Sequence, residues 1–240
     1  MHSSGWIRLL ACSVILATAA GCSKSAQNYL DRGNAQLEKG NVDAAVLEYR
    51  NAVAKDAMFA PARLKLAEAY LRQGNGAGAL AESVRAADLL PNDADAQLRA
   101  GSLLLMARRA EDAKARADKA LAISPKNVDA LVLRANAMAG LRDLDGALKE
   151  MQQALSLDPR SGLQTTLGEL QAARGNLPEA EAAFRQAVAT DPKSVAAQVA
   201  LGRFLWLAGR QADAEGAFNA ALALEPANAL TNRTLAAVYL

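Results

Sequence analysis

The chain has 240 residues and a formal net charge of +2, and 52% of its residues are hydrophobic and 22% charged, proportions ordinary for a folded globular protein. The nearly balanced charge offers no excess of cations to drive binding to nucleic acid, which excludes that class of partner. Because aromatic residues make up only 4% of the chain, its core must be built from Ala and Leu, which favours closely packed helices over a β-sandwich.

The N-terminal residues 1–21 are predicted to be an export signal. Arg8 precedes an uncharged apolar run from Leu9 to Ala20, which is too short to cross a bilayer as a helix but has the length of a signal-peptide apolar region. The run leads into Ala19-Ala20-Gly21-Cys22, which resembles the lipobox of bacterial lipoproteins. That resemblance implies cleavage before Cys22 and lipidation of its thiol. An ordinary secretory signal or an uncleaved anchor remain alternatives.

The residues after Cys22 indicate to which membrane the chain is sorted and how far from it the folded part lies. Ser23, not Asp, follows the cysteine, and among Gram-negative lipoproteins this implies sorting to the outer membrane, with the protein facing the periplasm. Residues 22–25 form the lipidated cysteine and a short linker, and three extended residues reach about 10 Å. The folded part of the chain is therefore expected to lie close to the membrane.

A period of 34 residues runs through the remainder of the chain. Five prolines are separated by 34, 34, 33 and 34 residues: Pro91, Pro125, Pro159, Pro192 and Pro226. This period is typical of helix–turn–helix units stacked in a superhelix. It predicts six units at 26–59, 60–93, 94–127, 128–160, 161–194 and 195–228, and the first helix of an incomplete seventh at 229–240.

The units resemble the tetratricopeptide repeat family over residues 26–240. The family's marks are a Leu-Gly pair in the first helix, a glycine between the helices, and a closing proline; they occur at Leu167-Gly168, Leu201-Gly202, Gly40-Asn41, Gly74-Asn75, Gly175-Asn176, Asp158-Pro159 and Asp191-Pro192. The glycines between the helices are expected to take a positive φ, and the Asn after each to cap the second helix. The resemblance implies an all-α fold, a right-handed superhelical α-solenoid that binds proteins.

The resemblance also implies a concave groove lined by the first helix of each unit. Residues in that phase combine apolar rows with scattered polar groups, which suits an extended or helical segment of a partner protein. They are Leu30, Asn34, Leu37, Leu64, Glu68, Leu71, Arg72, Leu98, Ser102, Leu105, Met106, Val132, Asn136, Thr165, Glu169, Val199, Arg203 and Trp206. Trp206 is either a binding anchor or a core residue. The lysine positions that grip a terminal carboxylate in some family members hold leucine here, so recognition of such tails is not expected.

No constellation for catalysis or metal binding is expected in the exported chain. The only histidine is His2, and the only cysteine besides Cys22 is Cys12; both lie in the signal, which excludes the common Ser-His and Cys-His arrangements. The acidic pair Glu111-Asp112 lacks the spacing of a calcium loop, and Gly74-Asn75-Gly76 is a turn, not a phosphate-binding loop. We therefore expect no enzyme activity, cofactor, metal or small-molecule substrate.

Three functions remain open at this level. The first is a lipid-anchored scaffold for envelope proteins, and within this class the chain resembles tetratricopeptide lipoproteins of exopolysaccharide-export and PEP-CTERM sorting systems. The second is a pilotin-like lipoprotein that helps a secretin of type IV pilus assembly reach the outer membrane. The third is glycan binding, for which Trp206 is the available groove aromatic. Because no polar capping element follows residues 229–240, the array is expected to continue beyond Leu240.

Overall fold

The computed structural model of the protein describes residues 25–227 and Asn232. Over those residues the chain forms twelve α-helices and no strand. They are α1 (Ala26–Glu38), α2 (Val42–Lys55), α3 (Ala60–Arg72), α4 (Gly76–Leu89), α5 (Ala94–Met106), α6 (Ala110–Ile123), α7 (Val128–Gly140), α8 (Leu144–Leu157), α9 (Ser161–Arg174), α10 (Leu177–Thr190), α11 (Val195–Leu207) and α12 (Gln211–Leu224). The predicted all-α solenoid is confirmed. The lipobox with Cys22, and the helix expected at 229–240 apart from Asn232, lie outside the described residues.

The helices pack in two layers. Each odd-numbered helix pairs with the even-numbered helix that follows it, and α1 contacts α3, α5 contacts α7, and α9 contacts α11. The odd-numbered helices, which are the first helices of the units, therefore form one layer, and the second helices form the other. A series of alanines in the second helices is fully buried between the layers, at Ala45, Ala79, Ala113, Ala147, Ala180 and Ala214. Their small side chains let the helices approach closely.

Glycines on three first helices make room for an aromatic ring on the partner helix. A Cβ added at Gly33 would lie 2.3 Å from the Tyr49 ring, and one added at Gly202 would lie 2.6 Å from the Phe218 ring. Tyr49 and Phe218 are both fully buried. The family's small residue at this position is therefore required by a specific ring in the same unit.

The turns between the two helices of a unit share one left-handed backbone geometry, which is adopted by glycine in some units and by arginine in others. The predicted positive φ is found at Gly40, Gly74 and Gly175, and arginines adopt it at the same place in units 3 and 4, with φ of 59° at Arg108 and 68° at Arg142. A left-handed backbone costs a residue with a Cβ about 1–2 kcal/mol. The turns at Arg108 and Arg142 therefore adopt the same left-handed geometry as the glycine turns, although arginine disfavours it.

The predicted Asn caps are right at one turn and wrong at two. The side chain of Asn75 accepts a hydrogen bond from the Gly78 amide at 2.9 Å. The side chains of Asn41 and Asn176 make no cap. Their amide groups instead donate to the carbonyl oxygens of the Gln36 and Gln171 side chains, at 3.0 and 2.8 Å. At these two turns, a glutamine near the end of the preceding helix therefore binds the asparagine side chain, which would otherwise cap the second helix.

The turn between units 1 and 2 has Ala57 where the later units have proline. Here the Arg63 guanidinium donates to the Ala57 carbonyl from Nε at 2.9 Å and from Nη2 at 2.7 Å. Its Nη1 also forms an ion pair with Glu82 on α4, and both side chains are about 10% exposed. A buried arginine therefore fixes this turn where a proline ring restricts the others.

Candidate functional site

A groove of about 700 Å³ crosses the first helices of units 2, 3 and 4. Nine of the groove residues predicted from the sequence line it: Leu64, Glu68, Leu71, Leu98, Ser102, Leu105, Met106, Val132 and Asn136. Two of the apolar side chains are strongly exposed, Leu71 by 48% and Met106 by 79%. The volume of this concavity and its mixture of apolar and polar lining residues suit a bound ligand. Its exposed apolar side chains are accessible to a partner.

One carboxylate of this groove, that of Glu68, is held in its charged form by its neighbours. Glu68 accepts hydrogen bonds from Lys65 at 3.0 Å and from Arg72 at 2.8 Å. The hydrogen bond from Lys65, with that from Arg72, lowers the pKa of Glu68 below its ordinary value. The negative charge of Glu68 is therefore balanced by Lys65 and Arg72. The uncharged polar side chains of Ser102 and Asn136, which also line the groove, can each hydrogen bond to a partner backbone.

Two charged residues of the groove were missed by the sequence reasoning. Arg99 and Asp129 line it beside Leu98 and Val132. Asp129 is bound by Arg160 at 3.1 Å, whereas Arg99 makes no hydrogen bond or ion pair with the described residues. Arg99 directly follows Leu98 on α5, and Asp129 lies one helical turn before Val132 on α7. A wider and longer face of each first helix would have included them.

The groove continues more narrowly into unit 1, and a separate, smaller concavity lies on the first helices of units 5 and 6. In unit 1, Leu30 and Asn34 line a concavity of about 320 Å³ together with Leu64 and Glu68. Asn34 is oriented there, because its carbonyl oxygen accepts a hydrogen bond from the Tyr49 hydroxyl at 2.9 Å. In units 5 and 6, Glu169 and Arg203 line a concavity of about 200 Å³ beside Leu207. Leu207 is 85% exposed and was not predicted as a groove residue.

Five of the predicted groove residues line none of these concavities. Arg72 is occupied by Glu68 at the groove rim. Leu37 and Trp206 are half-buried; Leu37 packs against the core cluster of units 1 and 2, and Trp206 against that of units 5 and 6. Val199 is buried, and the Thr165 hydroxyl donates to the Ser161 carbonyl within its own helix at 3.1 Å. The helical phase alone therefore did not separate these five residues from those that line the groove.

The described residues show neither a metal site nor a membrane span. No group of three or more His, Cys, Asp or Glu side chains that could hold a metal occurs in residues 25–227. In the same part of the chain, no helix has the length and apolar character needed to cross a bilayer.

This fold and groove define a helical-repeat protein that presents a concave surface. A family profile for the tetratricopeptide repeat matches residues 98–162 and 165–229, which is more than half of the chain, and a second TPR repeat profile matches residues 33–74. The chain belongs to the tetratricopeptide repeat family. Proteins of this family generally mediate binding of protein or peptide partners, and the repeat is typically a non-catalytic scaffold.

Solved structures share the fold at low sequence identity. A tetratricopeptide repeat protein of Parabacteroides merdae aligns over 90% of this chain and 84% of its own, with 18% identity and a TM-score of 0.71. PilF of Pseudomonas aeruginosa aligns over 88% and 96%, with 17% identity and a TM-score of 0.62. YrrB, described as a TPR protein with an unusual peptide-binding site, aligns over 80% and 98%, with 22% identity and a TM-score of 0.51. No curated protein matches the sequence.

Proposed function

We propose that the chain is a lipid-anchored, non-catalytic scaffold of the bacterial envelope that holds a segment of a partner protein in its groove. The observation that carries the proposal is the apolar groove across α3, α5 and α7, in which Leu71 and Met106 remain exposed. Exposed apolar surface rimmed by polar groups is typical of protein-binding sites.

The groove favours a partner segment with apolar side chains on one face. Such a segment would cover the exposed leucine and methionine side chains, and burial of apolar surface contributes about 25 cal/mol per Å². The polar side chains of Ser102 and Asn136 would then orient its backbone. An amphipathic helix or an extended strand satisfies both demands, since each presents an apolar row at a regular spacing.

The lipobox supplies the proposed location. Cys22 follows an apolar run of signal-peptide length and precedes Ser23, so the partners would be envelope proteins at the outer membrane, on the periplasmic side. The resemblance to tetratricopeptide lipoproteins of exopolysaccharide and PEP-CTERM systems suggests that the partner belongs to such an export system.

Two acidic substitutions in the groove are expected to abolish partner binding. In the double variant Leu71→Glu with Met106→Glu, the partner would bury two carboxylates in an apolar interface, and partner binding should weaken more than tenfold, because each uncompensated buried charge costs at least about 1–3 kcal/mol. The measurement is quantitative capture of envelope proteins by the wild-type chain and by the variant, side by side in membrane extracts.

The matched control is the double variant Leu47→Glu with Leu177→Glu. These leucines are 58% and 54% exposed, but they lie on the second helices α2 and α10, away from the groove. The control should recover the same envelope proteins as the wild type. Equal recovery by the groove variant and the wild type, or failure of the wild type to recover any envelope protein, would refute the proposal.

A role in pilus assembly is the second candidate. The lipobox followed by six repeat units is shared with the pilotin-like lipoproteins that help a secretin reach the outer membrane. Deletion of the gene should then deplete secretin multimers in the outer membrane, and unchanged multimers would exclude this role. Glycan binding is not supported further, because Trp206 is half-buried against the core.

A further inference from the structure

The turn between units 1 and 2 lies at the end of the array where the lipid anchor would attach. Helix α2 returns antiparallel to α1, and α3 runs parallel to α1, so Ser25, the end of α2 and the start of α3 share one edge. We call this the anchor edge. Because α1 and α3 are in contact, the turn Ala57–Pro61 lies about 10 Å from the start of α1.

This turn differs in chemistry from the corresponding turns of units 2, 3 and 5. Residues 57–61 read Ala-Met-Phe-Ala-Pro, without charge, and Met58 is 71% exposed. The position of Met58 is taken by polar or charged residues in units 2, 3 and 5, namely Asn92, Lys126 and Lys193. Of these four turns, the one with a large, exposed apolar side chain therefore lies in the unit next to the anchor.

The turn also lacks a cap that four of the six first helices have; α9, which begins after Arg160, lacks it as well. Ser25, Asp93, Asn127 and Ser194 cap their first helices with a side-chain hydrogen bond. Phe59 holds this position in α3 and makes no such bond, which forgoes about 1 kcal/mol of capping. Departures from local sequence rules concentrate at functional sites, and here Arg63 holds the turn in place through the Ala57 carbonyl.

The occupant that this position indicates is the membrane surface. Cys22 is three residues from Ser25, and three residues span about 10 Å at most. A lipid on Cys22 would therefore hold the anchor edge of unit 1 at the bilayer, with Met58 beside it. Apolar side chains of peripheral proteins enter the boundary between headgroups and acyl chains by about 5–10 Å. The exposed side chain of Met58, on a tight turn, is long enough to enter the outer part of this region.

We propose that the turn Ala57–Pro61 places Met58 in the headgroup region of the membrane to which Cys22 anchors the chain. This second contact fixes how the array stands on the bilayer and leaves the opposite edge free. The inference rests on the proposed lipid anchor. Met106 provides a matched reference, because it is 79% exposed at the far end of a 13-residue first helix, about 20 Å from the anchor edge.

The test uses the lipoprotein expressed with its own signal, purified in detergent and reconstituted into vesicles of phosphatidylethanolamine and phosphatidylglycerol. Met58→Cys and Met106→Cys are each labelled with an environment-sensitive nitrobenzoxadiazole dye, since an acylated Cys22 has no free thiol. Circular dichroism checks that both variants keep their helices. We expect a blue shift, and several-fold stronger quenching by lipids spin-labelled near the headgroup, at position 58 relative to position 106.

The outcomes separate this inference from the anchor itself. Flotation of the wild-type chain with vesicles, lost in Cys22→Ala, supports the anchor independently of any dye. If the chain floats but the dye at position 58 behaves as the dye at position 106 does, the membrane contact is refuted while the anchor stands. If the wild-type chain does not float, both are refuted.

Discussion

Replacing Arg63 by Met is expected to lower the free energy of unfolding by about 3 kcal/mol. The change removes two hydrogen bonds to the Ala57 carbonyl and the ion pair with Glu82. Methionine retains most of the side-chain volume, so the loss reports the polar contacts and not a cavity. The Glu82 side chain, about 10% exposed, would be left nearly buried with one cationic partner.

That remaining partner supplies the control. Arg85 contacts the other oxygen of the same carboxylate at 2.6 Å, but its side chain is 62% exposed. Arg85→Met should therefore cost less than about 1 kcal/mol, as is usual for exposed ion pairs. Urea unfolding followed by circular dichroism measures both variants. An equal decrease in the free energy of unfolding for both variants would show that the burial of Arg63 and its hydrogen bonds to the Ala57 carbonyl do not contribute to stability.

The second large effect is expected from Gly202→Leu. An added Cβ would already lie 2.6 Å from the ring of Phe218, which is fully buried, so the larger side chain must push α11 and α12 apart. Overpacking of this kind typically costs about 1–3 kcal/mol, and a displaced ring places this variant at the upper end. Gly216→Leu is the control, because nothing lies within 4 Å of its added Cβ and leucine favours a helix over glycine by about 0.8 kcal/mol.

The location of the damage is as informative as its size. Each unit contacts mainly its neighbours, so instability introduced in unit 6 should stay near it. Hydrogen exchange measured by mass spectrometry should show lost protection in α11 and α12, with α1 to α4 of the Gly202→Leu variant unchanged. A uniform loss of protection along the chain would contradict the view that stability is the sum of local interfaces.

The features that repeat could be predicted from the sequence, because they recur with a fixed period. The proline spacing predicted the helix pairs, and the helical phase located the apolar rows of the groove, such as Leu64 and Leu98. The glycines with positive φ were also predicted at Gly40, Gly74 and Gly175. In each case one physical requirement is imposed at the same place in several units, so the pattern is visible without coordinates.

The features that occur once could not be predicted in this way. The role of Arg63 depends on a carbonyl six residues before it and a carboxylate on another helix. Arg108 and Arg142 adopt the left-handed backbone of a glycine position, because the helices on either side impose the turn at a tolerable cost. The exposure of Leu207 depends on how the last described units present their surface. These contacts are set by tertiary packing, which a single sequence does not display.

The central claim is that the groove on the first helices holds the partner, and site-specific photocrosslinking in intact cells tests it most directly. A photoreactive amino acid replaces Ser102, an exposed groove residue of α5, or Gln152, an exposed residue of the second helix α8. We predict a discrete adduct with an envelope protein from position 102 that is lost when Leu71 and Met106 are both changed to Glu, and no such adduct from position 152. The same adduct from both positions, or an adduct from position 152 alone, would contradict the claim.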